Sequence, residues 1–487
     1  MTEQNNQQET VSPETSAGMT SGVRDLIGNP KKALIKISIP VIISLVFQSI
    51  YNVTDTLWVS GIGADALAAV GLAFPYFMIM MGISMGIGVG ASSGISRAIG
   101  ERDQDKASRI SAHAFVLSVL CSLVFLVFIP FMGDIYEAMG TDEVLTKLAA
   151  DYTNILIASS LFIFVGNVGN SILRGEGDTK RAMYATLAGV ILNIVLDPIF
   201  IYDFGLGLGV NGAAYATAIS IVISAVPIIY WLLIRKDTYV QTTFRKFRFE
   251  KPILKDIVDI GIPASVSQIT MSLSMILLNS IILIIAGTDG TATFTTGWRI
   301  ISIGIMPLLG LAAGLTSLVG VSYGEKNIRK MKDIYYYSLK VGFLFELVAA
   351  IIITALAGPI TYIFTMSDGS VHLYDSIVYF LRVMFVFYLI LPANVLTGSL
   401  FQGAGLGKWS FVTILLRTVI EIPFAYVISI VLGYGIIGVY IGLLLGDFVS
   451  AVLSFLLGRY VINSLRRVMG DSQKTFEGSS ECTQKKI

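Results

Sequence analysis

Long runs of apolar residues, separated by short polar connections, recur along the whole chain. A helix needs about 20 predominantly apolar residues to cross the hydrocarbon core of a bilayer. By that criterion the sequence predicts an all-α integral membrane protein. Its spans number about twelve and lie at 33–59, 66–96, 110–133, 152–173, 182–203, 208–234, 257–287, 290–322, 335–366, 376–402, 409–433 and 435–462.

Basic residues fall almost wholly in alternate connections between these runs. The connections after the second, fourth, sixth, eighth and tenth runs carry Lys and Arg, whereas the opposite set contains only Lys147. Because basic residues concentrate in the cytoplasmic loops of membrane proteins, this pattern predicts that both termini are cytoplasmic. We expect a multi-pass protein of the plasma (cell) membrane.

The first half of the chain resembles the second half. The segment LIKISIPVIISL around Pro40 matches ILKDIVDIGIPASVSQ around Pro263, and later segments match in the same order. An even number of spans separates the copies, so both copies have the same orientation, as in transporters built from parallel repeats. The repeat predicts two homologous bundles of about six helices each. Further matched pairs are Gly100 with Gly324, Gly175 with Gly403 and Lys180 with Lys408.

These bundles define the predicted domains. The N lobe comprises residues 31–234, the C lobe comprises residues 257–465, and the basic segment 235–256 links them on the cytoplasmic side. Polar segments at 1–30 and 466–487 flank the lobes. Their low hydrophobicity predicts disordered cytoplasmic tails.

The composition narrows the function further. Of the residues, 54% are hydrophobic and 14% are charged, and the net charge is +1, so nothing points to a nucleic-acid partner. Cys121 and Cys482 cannot supply a disulfide framework, and His113 and His372 cannot supply a histidine metal site. No Walker A sequence is present, which argues against ATP as the direct energy source. We expect no enzyme activity and no cofactor.

Four polar residues of the N lobe form the candidate functional site. Charged groups within spans are costly and mark functional sites. Asp55 lies in the first span, Asn193 and Asp197 share one face of the fifth because they are four residues apart, and Thr217 lies at similar depth in the sixth. Oxygen ligands suit a hard cation such as Na⁺, and two close carboxylates equally suit proton binding. The alternative is that these groups satisfy one another and only hold the helices together.

The C lobe does not repeat this set. Glu421 occupies the repeat position of Asn193, and Ala425 that of Asp197. Arg417 and Glu421 are four residues apart, which favours an internal ion pair over a second coupling site. The residues of a candidate C-lobe polar site are Arg299, Glu346, Arg417 and Glu421.

Residues 30–465 resemble the MATE (multidrug and toxic compound extrusion) family, nearest its archaeal and damage-inducible prokaryotic branch. The stretches that carry the resemblance are GNPKKALIKISIPVII, SIYNVTDTLWVSGIGADALAAVGL, SSGISRAIGERD, GNSILRGEGDTKRAM, NIVLDPIFIY and GVNGAAYATAIS. The resemblance implies a V-shaped, two-lobed antiporter that exports cationic or amphipathic compounds in exchange for H⁺ or Na⁺. It also implies a coupling site at the positions of Asp55, Asn193, Asp197 and Thr217, with Tyr152 in the same cluster, and a first helix that bends at Pro40.

We therefore expect a cation-coupled multidrug antiporter that exports xenobiotics by alternating access, with small molecules and the bilayer as partners. Twelve spans suffice for a monomer. Two alternatives stay open. One is a flippase for lipid-linked saccharides, which the intramembrane Arg299, Arg382 and Arg417 favour. The other is a channel or sensor without coupled exchange.

Overall fold

The computed structural model describes residues 19–235, 237–245, 247–366 and 371–484, which form helices and connecting loops without β-strands. The α-helices are α1 Ser21–Ile27, α2 Pro30–Ser60, α3 Ala64–Gly100, α4 Gln104–Leu126, α5 Met132–Ala138, α6 Glu143–Ala158, α7 Ser160–Gly175, α8 Thr179–Ile201, α9 Gly209–Ile229, α10 Lys251–Gly324, α11 Ile328–Ala355, α12 Ala357–Phe364, α13 Tyr374–Val383, α14 Phe385–Gly403, α15 Gly407–Tyr426 and α16 Gly435–Gln484. Turns of π-helix extend α9 over Tyr230–Arg235 and α15 over Val427–Val431.

The predicted number of crossings is reached when one bent pair of helices counts as one span and the longest helix counts as two. Within the described residues, ten helices are long and apolar enough to cross a membrane, or eleven when α6 and α7, which meet at 47°, count as one span. Helix α10 is 74 residues long and turns back at Gly287, where φ is 64° and ψ is −156°. This left-handed conformation is accessible to glycine without steric cost. Because α10 therefore provides two crossings, the described helices provide twelve.

The sequence repeat is visible in the backbone. Asp103 caps α4 by accepting a hydrogen bond from an N–H three residues later, and Asn327 caps α11 in the same way. The residues before them, Arg102 and Lys326, both have positive φ, at 60° and 55°. Two homologous bundles therefore begin their third and ninth spans with the same turn.

The two lobes meet at one end of the molecule, which we call the basic face: the loops at residues 101–103, 176–178, 325–327 and 404–406. Helices α2 and α3 of the N lobe pack against α10. Arg97 Nη2 lies 2.8 Å from Asp256 Oδ2, and Ser265 Oγ donates to the Gly82 carbonyl at 3.0 Å. The described hydrogen bonds and close glycine contacts that join α2 and α3 to α10 lie in the halves of α2 and α3 nearest this face. The lobes thus form a V that is closed at the basic face.

A short helix corrects the prediction of disorder in the N-terminal tail. Helix α1 lies inside the 1–30 segment and packs against α2 and α10, and its Val23 and Leu26 are fully buried. Lys36 Nζ also lies 2.6 Å from Asp25 Oδ2. Two apolar residues three positions apart lie on one face of this helix of about two turns and are buried, although the segment as a whole is polar. At the other end, α16 continues to Gln484, into the predicted polar tail. Residues 1–18 and 485–487 of the two predicted tails lie outside the described residues.

The segment between the lobes packs against the N lobe. Val240 is fully buried, and its N–H donates to Glu176 Oε2 at 2.9 Å. The Tyr239 carbonyl accepts a hydrogen bond from Gln104 Nε2 at 2.7 Å. Burial raises the pKa of the Glu176 carboxyl to about 8, since desolvation disfavours the charged form. Lys236 and Lys246 of the predicted linker lie outside the described residues.

Candidate ion-binding site of the N lobe

The structure brings the predicted N-lobe residues together on three adjacent helices. Asp55 lies on α2, Asn193 and Asp197 lie one turn apart on α8, and Thr217 lies on α9. Helix α8 packs against both α2 and α9. Asn193 is 2% exposed, Asp197 is fully buried and Thr217 is 6% exposed. The helical spacing on α8 thus directs both side chains into one buried contact.

The hydrogen bonds at this contact leave the carboxyl groups without donors. Asn193 Nδ2 donates to Thr217 Oγ1 at 3.3 Å. Among the described residues, Asp55 Oδ1 and both carboxyl oxygens of Asp197 accept no hydrogen bond. The Asp55 and Asp197 carboxyl groups lie against each other. A hydrogen bond between them requires a proton on one, and two ionised groups require a cation.

This geometry disfavours the alternative that the four residues only satisfy one another. A buried polar group without a partner costs free energy, and a buried charge costs more. Asn193 Nδ2 donates to Thr217 Oγ1, and neither carboxyl oxygen of Asp197 accepts a described hydrogen bond, although Asn193 lies close enough to act on this carboxyl group. The arrangement can therefore bind a proton or a small cation.

Two tyrosines line the same contact. Tyr152, which the family resemblance placed in the cluster, is 5% exposed and lies within electrostatic range of Asp55 and Asp197. Tyr51 also faces these carboxyl groups, and its hydroxyl faces Thr217. Sequence reasoning missed Tyr51. The available signal was its position four residues before Asp55, which places both on one face of α2.

A cavity of about 140 Å³ opens beside the candidate ion-binding site. Tyr51, Asn193 and Thr217 line both, so the cavity and the carboxyl pair share a wall. The rest of the lining combines amide and hydroxyl groups with apolar side chains. These residues are Gln48, Phe77, Met81, Phe162, Ile163, Gly166, Asn167, Asn170, Thr186, Gly189, Val190, Ser220, Ile221 and Ser224.

Pro40, the predicted bend of the first helix, lies at the contact between the lobes. Helix α2 runs without interruption through Pro40, which is buried. Proline cannot donate the backbone hydrogen bond of a regular helix. The neighbouring Ser38 and Ile42 pack against Gly314 and Gly310 of α10. A bend at this position would therefore alter the contact between α2 and the C lobe.

The candidate C-lobe site is only partly assembled. Arg417 Nε lies 3.5 Å from Glu421 Oε2, which confirms the predicted ion pair. Arg417 lies closer to Asp447 of α16, with 2.5 Å between Nε and Oδ1. Glu346 is fully buried, and neither carboxyl oxygen has a partner among the described residues. Arg299 is exposed, and no described hydrogen bond or ion pair joins it to the others.

Comparison with known proteins identifies the family. The MatE family model matches residues 40–199 and 263–427, one match in each lobe. Multidrug export protein MepA of Staphylococcus aureus is 27% identical over 450 residues, which are 92% of this chain and 97% of MepA.

Solved structures agree with the family model. A MATE structure in complex with MaL6 superposes with a TM-score of 0.90 and 42% identity, covering 92% of this chain and 100% of that chain. The outward-facing conformation of a multidrug resistance MATE family transporter superposes with a TM-score of 0.89 and 42% identity, covering 92% and 99%. The chain belongs to the MATE family of membrane transporters.

Proposed function

We propose that this chain exports cationic or amphipathic small molecules in exchange for H⁺ or Na⁺. Its family and the multidrug export relatives support a multidrug efflux transporter. The proposed coupling rests on the carboxyl groups of Asp197, which is buried, and Asp55, which is half-buried; they face each other, and neither Asp55 Oδ1 nor the two Asp197 oxygens accept a described hydrogen bond. Such a pair must gain a proton or a cation when it is closed off from water.

The cavity beside the pair gives the exchange a physical basis. Tyr51, Asn193 and Thr217 contribute to both the cavity and the candidate ion-binding site. A bound compound and a bound ion would therefore compete for the same groups or rearrange them. In an antiporter each ligand must favour a different conformation, because a ligand shifts an equilibrium only through its differential affinity for the two states.

The orientation follows from the charges of the loops. We propose that the basic face lies in the cytoplasm, with both termini, in agreement with the positive-inside rule. The V is then open to the outside, as in the outward-facing relative. Alternating access would require the lobes to separate at the basic face and approach each other at the opposite end. We propose a monomer in the plasma membrane.

The flippase alternative is weakened at one of the three arginines that favour it. A phosphate-binding cavity needs free cations, whereas Arg417 is paired with Asp447 and Glu421. Channel or sensor activity without exchange stays an outcome of the test below.

The test is efflux of a fluorescent organic cation from proteoliposomes under separately imposed pH and Na⁺ gradients. We expect gradient-dependent transport that Asp55→Asn and Asp197→Asn both abolish. Glu137→Gln, at an exposed carboxylate of α5, is the matched control and should transport normally. An efflux rate that neither gradient and neither Asn substitution changes would contradict coupled exchange and favour a flippase or channel.

A further inference from the structure

A second cavity, distinct from the candidate ion-binding site, opens on the outer surface of the N lobe. It has a volume of about 380 Å³ and is lined only by apolar side chains. Helices α4 and α7 form its walls, the end of α9 with its π turn forms its floor, and Phe244 of the linker closes one end. The full lining is Phe115, Val116, Val119, Leu120, Leu161, Phe162, Val165, Ile229, Leu233 and Phe244.

The groove opens sideways rather than toward the centre of the V. Val119 is 37% exposed and Leu120 is 46% exposed, and both lie on the outward face of α4. Phe244 is 45% exposed at the end nearest the basic face. An apolar recess that opens on the apolar flank of a membrane helix is accessible to lipid chains without passage through water.

Cations surround the end of the groove nearest the basic face. Arg245 follows Phe244 directly; it is exposed, and its guanidinium forms no described hydrogen bond or ion pair. Arg109 lies seven residues, hence about two turns or 10 Å, before Val116 on the same face of α4. Its Nε lies 3.6 Å from Glu250 Oε1, and its side chain is 53% exposed. Arg235, at the end of the π turn, is paired with Asp237 at 2.9 Å.

We infer that the groove binds one acyl chain of an anionic phospholipid, with the phosphate held by Arg245, the one of these three arginines whose guanidinium has no described partner. The positions of these groups along the helices support this arrangement. The cations lie at the loop end of the groove, and the apolar lining continues from there into the membrane span. Basic residues beside a membrane surface attract anionic lipids by about 1 kcal/mol each. Since the linker residue Phe244 closes the groove, the bound lipid would also hold the linker against the N lobe.

The test is native mass spectrometry of the full chain, purified in detergent with equimolar phosphatidylglycerol and phosphatidylcholine that carry the same acyl chains. The wild type should retain one phosphatidylglycerol in preference to phosphatidylcholine. Arg245→Ala should reduce this preference about fivefold, the factor that corresponds to about 1 kcal/mol. Val119→Trp, which fills the groove, should reduce retention of both lipids.

Two substitutions serve as matched controls. Arg329→Ala removes an exposed cation on α11 of the other lobe, and Val195→Trp adds the same bulk to a 52% exposed position of α8. Both should retain the lipid as the wild type does. Equal retention of the two lipids by the wild type would overturn the proposal, as would a Val119→Trp variant that retains as much phosphatidylglycerol as Val195→Trp. Each variant's unfolding temperature separates loss of the site from loss of the fold.

Discussion

Ser93 Oγ of the N lobe donates a hydrogen bond to the main-chain carbonyl of Gln402 in the C lobe, at 2.5 Å. Ser317 of the C lobe donates to the Arg174 carbonyl of the N lobe at 3.0 Å. Each bond is the image of the other under the internal repeat. The closed end of the V is therefore a two-fold contact, and separation of the lobes must break both halves of it.

Glycines make the close approach in this contact possible. A Cβ at Gly324 would overlap the carbonyl oxygen of Arg97, and a Cβ at Gly100 would overlap that of Val321. We expect Gly324→Val to push the lobes apart at the basic face. Spin labels attached to cysteines in place of Asp105 and Arg329, both exposed, should show a longer distance between the lobes in double electron–electron resonance.

The labelled protein must lack the native cysteines Cys121 and Cys482. Gly71→Val is the matched control, because Gly71 is also helical and nothing lies within 4 Å of a Cβ there. Unchanged distances in Gly324→Val would show that the contact tolerates a side chain and that the glycine does not set the closed state.

The ion pair between Arg97 and Asp256 adds to the closed state. Their side chains are 15% and 35% exposed, so solvent screens the attraction and we expect a coupling of about 0.5–1 kcal/mol. Arg97→Ala and Asp256→Ala should each lower the closed population. In a double-mutant cycle on that population the effects should be less than additive. Additive effects would mean that the two side chains act separately.

The charges around Arg417 should contribute strongly to the stability of the C lobe. Arg417→Met would leave Asp447 buried without its cation, which costs about 3–5 kcal/mol when a buried pair loses one partner. Adding Asp447→Asn should recover part of the loss. Denaturant unfolding followed by tryptophan fluorescence measures both changes. Arg382→Met, at an exposed arginine of α13, should be nearly neutral; an equal loss there would contradict the assignment.

Tyr51 should contribute to ion binding through its hydroxyl. Tyr51→Phe removes the group that faces Thr217 and the carboxyl pair, and loss of one hydrogen bond of about 0.5–1.5 kcal/mol corresponds to about a 2- to 13-fold change. The dependence of efflux on ion concentration in proteoliposomes should shift by that factor. The control is Tyr184→Phe, at a tyrosine that is 58% exposed. If both variants showed the same dependence of efflux on ion concentration, the Tyr51 hydroxyl would have no part in ion binding.

Glu176 should make stability depend on pH. Its pKa is raised to about 8 in the folded protein, so the native state holds a proton that the unfolded chain releases near pH 4.5. This contribution is fully present below the unfolded pKa and is lost as pH rises toward and through about 8. The unfolding temperature should fall over that interval, and Glu176→Gln should flatten the fall.

Glu101→Gln is the control for this titration. Its side chain is 40% exposed and pairs with Lys106, so it should keep the wild-type pH dependence. A Glu176→Gln variant with the same slope as wild type would assign the titration to other groups.

The sequence by itself determined the spans, the repeat and the N-lobe site. These features depend on local rules: a bilayer requires a fixed length of apolar helix, and residues four apart share a helix face. The spacing of Asn193 and Asp197 alone therefore placed them together, and the cost of a buried charge singled out Asp55. The roles of these residues in coupling stay a prediction.

Only the tertiary structure decided which groups from distant segments meet. Asp447, rather than Glu421 one turn away, is the nearer partner of Arg417, because α16 packs against α15. The docking of α1, the turn at Gly287 and the linker bond from Val240 to Glu176 likewise depend on the packing of neighbouring helices. Periodicity specifies which face of a helix is polar. It does not specify which other helix that face will meet, because that is set by the side-chain packing of the whole lobe.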